Sequence, residues 1–153
     1  MAITASGFFM NTFLKVFDAA QEPVNLVGDT IKGALFTNSV TPNFSTDTAY
    51  AVAPYDAYEV TGTGYSAGGA ALASKTFTES PVGSVMFDAA DLYWVSATLS
   101  GVRACLFWDD TVTSPVADPV IALVDFGAAF GVTVGTFTVH WASTGIFSID
   151  LTP

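Results

Sequence analysis

Positive charge is scarce in this sequence. The 153 residues include only 4 Lys and Arg against 14 Asp and Glu, so the formal net charge is −10 at pH 7. The four cations, Lys15, Lys32, Lys75 and Arg103, stand far apart along the chain. A protein that binds nucleic acid neutralises phosphates with Lys and Arg, and anionic membrane surfaces attract clusters of the same residues. We therefore expect no nucleic acid and no membrane among the partners.

Charge of either sign is sparse as well. Charged residues make up 12% of the chain, about half of the roughly 25% that is usual in soluble domains. Hydrophobic residues make up 51%. The surface must therefore carry much Thr, Ser, Gly and Ala together with exposed apolar atoms, and such a surface favours contact with other protein chains.

Cysteine is nearly absent. Cys105 is the single one, so no intrachain disulfide can form, as is typical of chains that fold in a reducing cytosol. The first residues lack a positive stretch ahead of the apolar ones, which argues against a signal peptide. No run approaches the roughly 20 apolar residues of a membrane helix. We expect a soluble protein that is made in the cytoplasm.

Motifs for catalysis are missing too. His140 is the only histidine, the chain has no G-x-S-x-G nucleophile elbow, and one His with one Cys does not make a usual zinc ligand set. A strand histidine held by a hydrogen bond is the default interpretation of His140. We predict no catalytic, cofactor-binding or metal-binding residue, and hence neither an enzyme nor a cofactor.

The most conspicuous string is glycine-rich and covers residues 62–69, Gly-Thr-Gly-Tyr-Ser-Ala-Gly-Gly. A phosphate-binding loop needs Lys-Ser/Thr at a fixed spacing and a following helix, but the next lysine is Lys75 and the next segment has a strand pattern. The dinucleotide fingerprint, which needs a strand before it and a helix after it, is missing as well. We predict a flexible or tightly turned loop that needs positive φ at its glycines.

Two pairs of aspartates raise the question of a cation site. Asp88 and Asp91 flank two alanines, and Asp109 and Asp110 are adjacent. Calcium loops use several carboxylates, but the D-x-[DN]-x-[DN]-G pattern is absent. We predict that these carboxylates cap backbone N–H groups in turns, with a bound cation as the alternative. Glycoside hydrolysis by paired carboxylates depends on their separation in space and stays open as a third interpretation.

The amino-terminal part has a helical pattern. Phe9, Phe13 and Phe17 recur every four residues on one face of a predicted helix over residues 7–20, with Ser6 as its N-cap. An aromatic stripe of this kind is typical of a helix face that packs on the core.

The rest of the chain has the pattern of short strands. Segments rich in Val, Thr, Phe, Tyr and Trp are separated by Gly, Pro, Ser or Asp. Ser100-Gly101 predicts a tight turn, and residues 142–145 predict the turn of a final hairpin that closes the sheet. The long connection over residues 38–58 is typical of a functional or contact segment. The predicted strands cover residues 29–37, 72–77, 84–88, 92–99, 102–108, 120–126, 135–140 and 146–151.

This strand spacing predicts one mainly β domain, an antiparallel β-sandwich or barrel-like fold with a short N-terminal helix. The domain covers residues 1–153. Residues 1–28 form an aromatic-rich N-terminal segment, a candidate contact arm, and residues 29–153 form the β-rich body.

Four stretches of the chain resemble small virion-associated proteins of tailed phages. The first is DTIKGAL at 29–35, followed by a connection rich in Thr, Pro and Asp. The others are EVTGTGYSAGGAAL at 59–72, FDAADLYW at 87–94 and TGIF at 144–147. The resemblance spans most of the chain beyond residue 28. It implies a head-decoration or other capsid-associated role, with tail and head-fibre parts as near neighbours, and it implies no catalytic residues.

We therefore predict a non-enzymatic structural protein on the capsid surface of a phage particle, made in the host cytoplasm. Its expected partners are further copies of itself, in a closed homo-oligomer for which a trimer is one candidate, and the major capsid protein. The alternative is a tail or fibre component that binds a host receptor or glycan. The residues that we predict to contact other chains are Phe8, Phe9, Phe13, Phe17, Phe44, Tyr50 and Tyr55.

Overall fold

The computed structural model describes residues 2–19, 21–81 and 83–152, which form two antiparallel sheets and one short helix. The helix α1 is Met10–Phe17, and the strands are β1 (Gly7–Phe8), β2 (Ile31–Thr37), β3 (Ala70–Ala71), β4 (Thr76–Glu79), β5 (Ser84–Asp88), β6 (Leu92–Asp109), β7 (Val120–Val139) and β8 (Phe147–Asp150). The larger sheet has the order β1-β7-β6-β2-β3, and the smaller sheet has the order β4-β5-β8. The predicted mainly antiparallel β class with a short N-terminal helix is confirmed, and the sheets do not close into a barrel.

Two long strands, β6 and β7, dominate the larger sheet. The sequence predicts two shorter strands in place of each, with a tight turn at Ser100-Gly101. The prediction of this turn is wrong, because β6 runs through both residues and pairs with β7 on either side of them, at Leu99 and at Val102. Gly101 has a φ of +69°, which a β-bulge uses as readily as a turn does. The positive φ distorts the strand without ending it.

The end of the chain joins the smaller sheet. The turn predicted at 142–145 is present, because the Gly145 N–H donates to the Ala142 carbonyl at 2.9 Å. The predicted final hairpin is wrong: β8 pairs with β5, Ile149 opposite Val85, and not with β7. The turn therefore carries the chain from the larger sheet to the smaller one.

The strand predicted at 72–77 is interrupted. β3 lies at an edge of the larger sheet, whereas β4 belongs to the smaller one. Between them Ser74 has a φ of +52°, a left-handed conformation that a regular strand does not contain. Of the predicted segment only Thr76 and Phe77 belong to a strand, β4, because β3 ends at Ala71.

Two hydrophobic clusters lie on opposite faces of the larger sheet. One includes Leu35 of β2 and Phe107 of β6, and it also contains Phe87 from the smaller sheet. The other includes Phe36 and Leu106, the neighbours of those two residues in the chain. Successive residues of a strand point to opposite faces, so both faces of this sheet are buried at its centre.

The second cluster is covered by the N-terminal segment and by the connection over 38–58. Ile3 and Phe9 come from the N-terminal segment, and Val40 and Tyr55 come from the connection. All four side chains are buried. The segment that the sequence predicts as a contact arm is thus packed into the folded body, and only part of its surface is free to meet another chain.

α1 is shorter than the predicted helix. It begins after Phe9 without a side-chain cap, so the prediction of Ser6 as N-cap is wrong. The Ser6 hydroxyl instead accepts a hydrogen bond from the Asp125 N–H at 2.9 Å. The predicted end, Ala20, lies outside the described residues, and the helix ends at Phe17. Within the described ranges no helix is long and apolar enough to cross a membrane.

Candidate interaction surface

α1 is held to the larger sheet by a buried hydroxyl and to the 38–58 connection by the backbone at its first residue. The Thr12 hydroxyl donates to the Val120 carbonyl at 2.6 Å. The Met10 N–H donates to the Phe44 carbonyl at 2.8 Å. Thr12 is the buried residue of the helix. These bonds fix which side of the helix faces the protein, and that side is not the aromatic one.

The outer face of α1 is apolar and exposed. Phe17 is 77% exposed, Leu14 is 55% exposed and Met10 is 51% exposed. The rings of Phe13 and Phe17 lie against each other, with centroids 5.2 Å apart. A helix in a globular protein usually buries its apolar stripe, and a contiguous exposed apolar patch marks a site where another molecule binds. The outer face of α1 is therefore a candidate interaction surface.

An apolar groove of about 320 Å³ opens beside the helix (the α1 groove). Phe13 and Phe17 line it from the helix, and Phe77, Phe147 and Ile149 line it from the smaller sheet. None of the described residues in its lining is charged. The α1 groove can therefore accept an apolar side chain, and binding there would be driven by removal of apolar surface from water.

Three of the predicted contact residues reach this surface. Phe13 and Phe17 lie on the exposed face of α1. Phe8 is half-buried at the inner wall of the groove, where its ring meets that of Phe147 edge to face with centroids 4.6 Å apart. The structure thus brings these three side chains together at one place.

The other four predicted contact residues serve the fold. Phe9 and Tyr55 are buried, with ring centroids 5.7 Å apart, so neither is accessible to a partner. Phe44 is half-buried against Phe9 at 5.2 Å. Tyr50 stacks on Trp108 with centroids 4.2 Å apart. Their aromatic character reflects packing of the N-terminal segment and the 38–58 connection.

Sequence reasoning missed two residues of the surface, Met10 and Leu14. Both are apolar and exposed. The stripe chosen from the sequence starts at Phe9, which lies before the helix. Positions 10, 13, 14 and 17 follow the three- and four-residue spacing of a helix face, so a stripe that starts at Met10 and not at Phe9 would have indicated the exposed face.

The glycine-rich string is a structural loop closed around Glu59. The Glu59 carboxylate accepts hydrogen bonds from the Tyr50 hydroxyl, from the Tyr65 hydroxyl at 2.6 Å and from the Gly68 N–H at 2.8 Å. Burial and the adjacent Glu59 carboxylate raise the pKa of Tyr65 far above its ordinary value, so its hydroxyl stays a donor. The loop thus directs the Gly68 N–H to a side chain of its own chain.

The predicted positive φ of these glycines is confirmed. Gly64, Gly68 and Gly69 have φ of +79°, +90° and +75°. At Gly69 a Cβ would lie 1.9 Å from the Gly33 carbonyl oxygen, so this position also needs the absence of a side chain. The glycines therefore let the loop approach β2 closely.

His140 has the hydrogen bond that the sequence predicts, but it lies one residue beyond the end of β7 and not within a strand. Its Nδ1 lies 2.6 Å from one Asp91 oxygen, and the Trp141 N–H donates to the other at 3.1 Å. The hydrogen bond from the Trp141 N–H lowers the pKa of Asp91 most, and the hydrogen bond with His140 lowers it further. The predicted capping by Asp91 is confirmed, but the N–H belongs to the distant Trp141 and not to a turn over 88–91, and Asp88 lies within β5. Cys105 is fully buried, and burial raises the pKa of its thiol.

Asp109 caps a turn, as predicted. It is fully buried, and one of its oxygens accepts a hydrogen bond from the Thr111 N–H at 2.8 Å. Burial, together with the neighbouring Asp29 carboxyl, raises the pKa of Asp109 to about 6. Asp110 pairs instead with Lys32 at 2.8 Å. In the part of the chain that the structure describes, no three Asp, Glu, His or Cys side chains come together as metal ligands do.

Comparison of the chain with protein families, with curated proteins and with solved structures found no match.

Proposed function

We propose that this chain is a non-enzymatic structural protein of a phage particle. It is a head-decoration protein on the capsid surface, which associates with copies of itself and docks on the major capsid protein. The main observation in support of the proposal is the exposed apolar face of α1 with the α1 groove beside it. The low, dispersed charge of the chain and its resemblance to virion-associated proteins of tailed phages support the same role.

The surface around α1 is large enough to form the centre of a protein–protein contact. Met10, Phe13, Leu14 and Phe17 together expose on the order of 400 Å², taking large side chains as roughly 150–250 Å² each. Burying that area would contribute about 10 kcal/mol at ~25 cal/mol per Å², against an association cost of roughly 4–15 kcal/mol. One such contact is weak by itself, and a lattice that engages several linked copies strengthens it.

Docking is tested by mixing the purified chain with phage particles that lack it and sedimenting the particles. The wild-type chain is expected to co-sediment to saturation. A Leu14→Ser/Phe17→Ser double variant should bind at least about tenfold more weakly, since burial of each apolar side chain contributes about 1.5–3 kcal/mol. Because the α1 groove is uncharged, the wild-type signal should persist at high salt.

The matched control is Val134→Asn at the opposite end of β7. Val134 is also exposed, and Asn tolerates its φ of +47° better than Val does. The control should dock like the wild type. Undiminished docking of the double variant, with the control also unchanged, would contradict the role given to α1.

A hollow on β7 favours a second candidate function, a tail or fibre component that binds a host glycan. Phe130 lines this hollow together with Thr136, Thr138 and His140. An aromatic ring beside hydroxyl groups suits a sugar, which presents apolar C–H faces and hydroxyls. If the chain has this function, it should bind host cells. Phe130→Ser should weaken this binding, and Leu14→Ser/Phe17→Ser should leave it unchanged. Binding to purified heads with none to host cells would rule it out.

A further inference from the structure

β4 is an outer strand whose residues are all exposed. It pairs with β5 on one side, and among the described residues no strand pairs with its other side. All four residues, Thr76–Glu79, are exposed. An edge strand with unpaired N–H and C=O groups is a template for a strand from another chain.

The hydrogen bonds of the β4–β5 hairpin determine which backbone groups face outward. The Ser80 N–H donates to the Ser84 carbonyl at 2.9 Å. Hydrogen-bonded pairs alternate along an antiparallel ladder, so Thr76 and Thr78 also direct their backbone groups to β5. The backbone groups of Phe77 and Glu79 therefore point to the free edge, as do those of the preceding Lys75.

The sequence of this edge is complementary to itself. It reads Lys75-Thr76-Phe77-Thr78-Glu79. When two copies pair antiparallel about Phe77, each Lys75 lies opposite Glu79 of the other copy, each Thr lies opposite a Thr, and the two Phe rings are adjacent. Opposite charges, Thr–Thr pairs and aromatic pairs all stabilise cross-strand contacts.

Other registers lose this complementarity. If the two-fold axis moves by one residue, Phe77 lies opposite Lys75 or Glu79. If the axis moves by two residues, like charges lie opposite each other, which is destabilising. The Lys75 ammonium is available for the pairing, since its hydrogen bond to the Leu72 carbonyl is long, at 3.4 Å.

We infer that β4 is the edge through which two copies of this chain pair about a two-fold axis. The three strands of each copy then form one continuous six-stranded sheet. The inference deepens the proposed function and rests on its self-association, since it names the surface where copies meet. A two-fold contact gives a dimer, whereas the sequence suggests a trimer as one candidate.

Pairing at β4 also joins the two docking surfaces. Phe77 lies in register with Phe87 and through it with Phe147, so all three point to the same face of the smaller sheet. Phe77 and Phe147 line the α1 groove. The dimer therefore places two α1 grooves on the same side of its sheet, with the two Phe77 rings between them, and presents two linked contacts to a lattice.

The inference is tested by sedimentation equilibrium of the full chain with charge-swap variants. The wild type is expected to dimerise reversibly. Glu79→Lys places Lys opposite Lys at both ends of the pair and should weaken the dimer about tenfold or more. The Lys75→Glu/Glu79→Lys double variant restores opposite charges and should restore the dimer. Asp56→Lys, the same charge change at an exposed site outside β4, is the matched control and should leave the dimer unchanged.

Cysteine crosslinking tests the register independently. Under oxidation Phe77→Cys should give a covalent dimer, because the two residues face each other, whereas Thr78→Cys should not, because Thr78 faces Thr76 of the other copy. The native Cys105 is buried and does not compete. A circular dichroism spectrum of each variant confirms that it is folded.

The outcomes separate this inference from the proposed function. A monomeric wild type, or a dimer that Glu79→Lys leaves intact, overturns the β4 contact even if the chain docks on particles. A dimer that Glu79→Lys abolishes and the Lys75→Glu/Glu79→Lys double variant restores supports the β4 contact even if no docking occurs. In that case only the proposed function fails.

Discussion

The Tyr65 hydroxyl donates to the Glu59 carboxylate at 2.6 Å and accepts a hydrogen bond from the Leu35 N–H at 2.8 Å. One phenol thereby ties the glycine-rich loop to the middle of β2. Leu35 is part of the core between the two sheets. The loop that most resembles a ligand-binding motif in the sequence is thus fastened to the centre of the fold.

Tyr65→Phe should lower the free energy of unfolding by about 1–3 kcal/mol, since it leaves the Leu35 N–H and the Glu59 side chain each without one partner. Urea unfolding measures this change. Tyr93→Phe is the control, because Tyr93 is 65% exposed, and it should change stability by less than about 0.5 kcal/mol. Equal effects of the two variants would contradict the role of the Tyr65 hydroxyl.

Gly69→Ala should be among the most destabilising single changes in the chain. Gly69 has a φ of +75°, and Gly127 has a φ of +76°, but only Gly69 has backbone in the way of a Cβ, the Gly33 carbonyl oxygen at 1.9 Å. Gly127 has no atom within 4 Å of an added Cβ. We expect a loss of about 1 kcal/mol at Gly127 from backbone strain alone and at least about 3 kcal/mol at Gly69. If the two alanine variants melt at the same temperature, the close approach of Gly69 to β2 is not needed for stability.

Asp109 should make the chain less stable as the pH rises from about 4 to about 7. Folding raises the pKa of Asp109 from 3.8 to about 6, so the folded chain binds this proton more tightly than the unfolded chain does. The corresponding stabilisation is complete below the ordinary pKa and is lost as the pH rises through about 6. Asp109→Asn keeps an oxygen for the Thr111 N–H and has no proton to lose.

The measurement is the free energy of unfolding of wild type minus that of Asp109→Asn across this pH range. It should fall by about 2–3 kcal/mol towards neutral pH. Asp118, whose pKa is also raised by burial, is present in both proteins and cancels. Asp56→Asn is the matched control, since Asp56 is exposed, and its difference from wild type should not vary in this way. A flat difference for Asp109→Asn would contradict the raised pKa.

Phe9→Ala and Phe17→Ala should differ sharply in stability. Phe9 is fully buried and Phe17 is 77% exposed, so Phe9→Ala should cost about 3–5 kcal/mol, whereas Phe17→Ala should change the free energy of unfolding by less than about 0.5 kcal/mol. Chemical denaturation of both variants checks this prediction. A large loss at Phe17 would mean that α1 packs its aromatic face inward.

The class of the fold can be predicted from the sequence, but its strand boundaries cannot. The alternation of apolar and polar residues identifies β2 and β5 with correct ends or nearly so. It fails at Gly101, because a glycine with positive φ serves a turn and a bulge equally. Whether the strand continues depends on its pairing with β7, which lies well beyond the local sequence.

The candidate surface is partly predictable as well. The aromatic content of the N-terminal segment points to α1, but it does not separate Phe9, which is buried, from Phe17, which is exposed. That difference follows from where the helix begins, and the helix begins after β1 because the Phe9 N–H donates to the Ile121 carbonyl at 3.0 Å. A tertiary hydrogen bond of this kind has no signature in the local pattern.

Capsid decoration is tested most directly by imaging phage particles that lack this chain after the purified wild-type chain has been added. We expect regular, saturable density on the outer surface of the head, absent with the Leu14→Ser/Phe17→Ser variant. Density confined to the tail or its tip, or no added density at all, would contradict it.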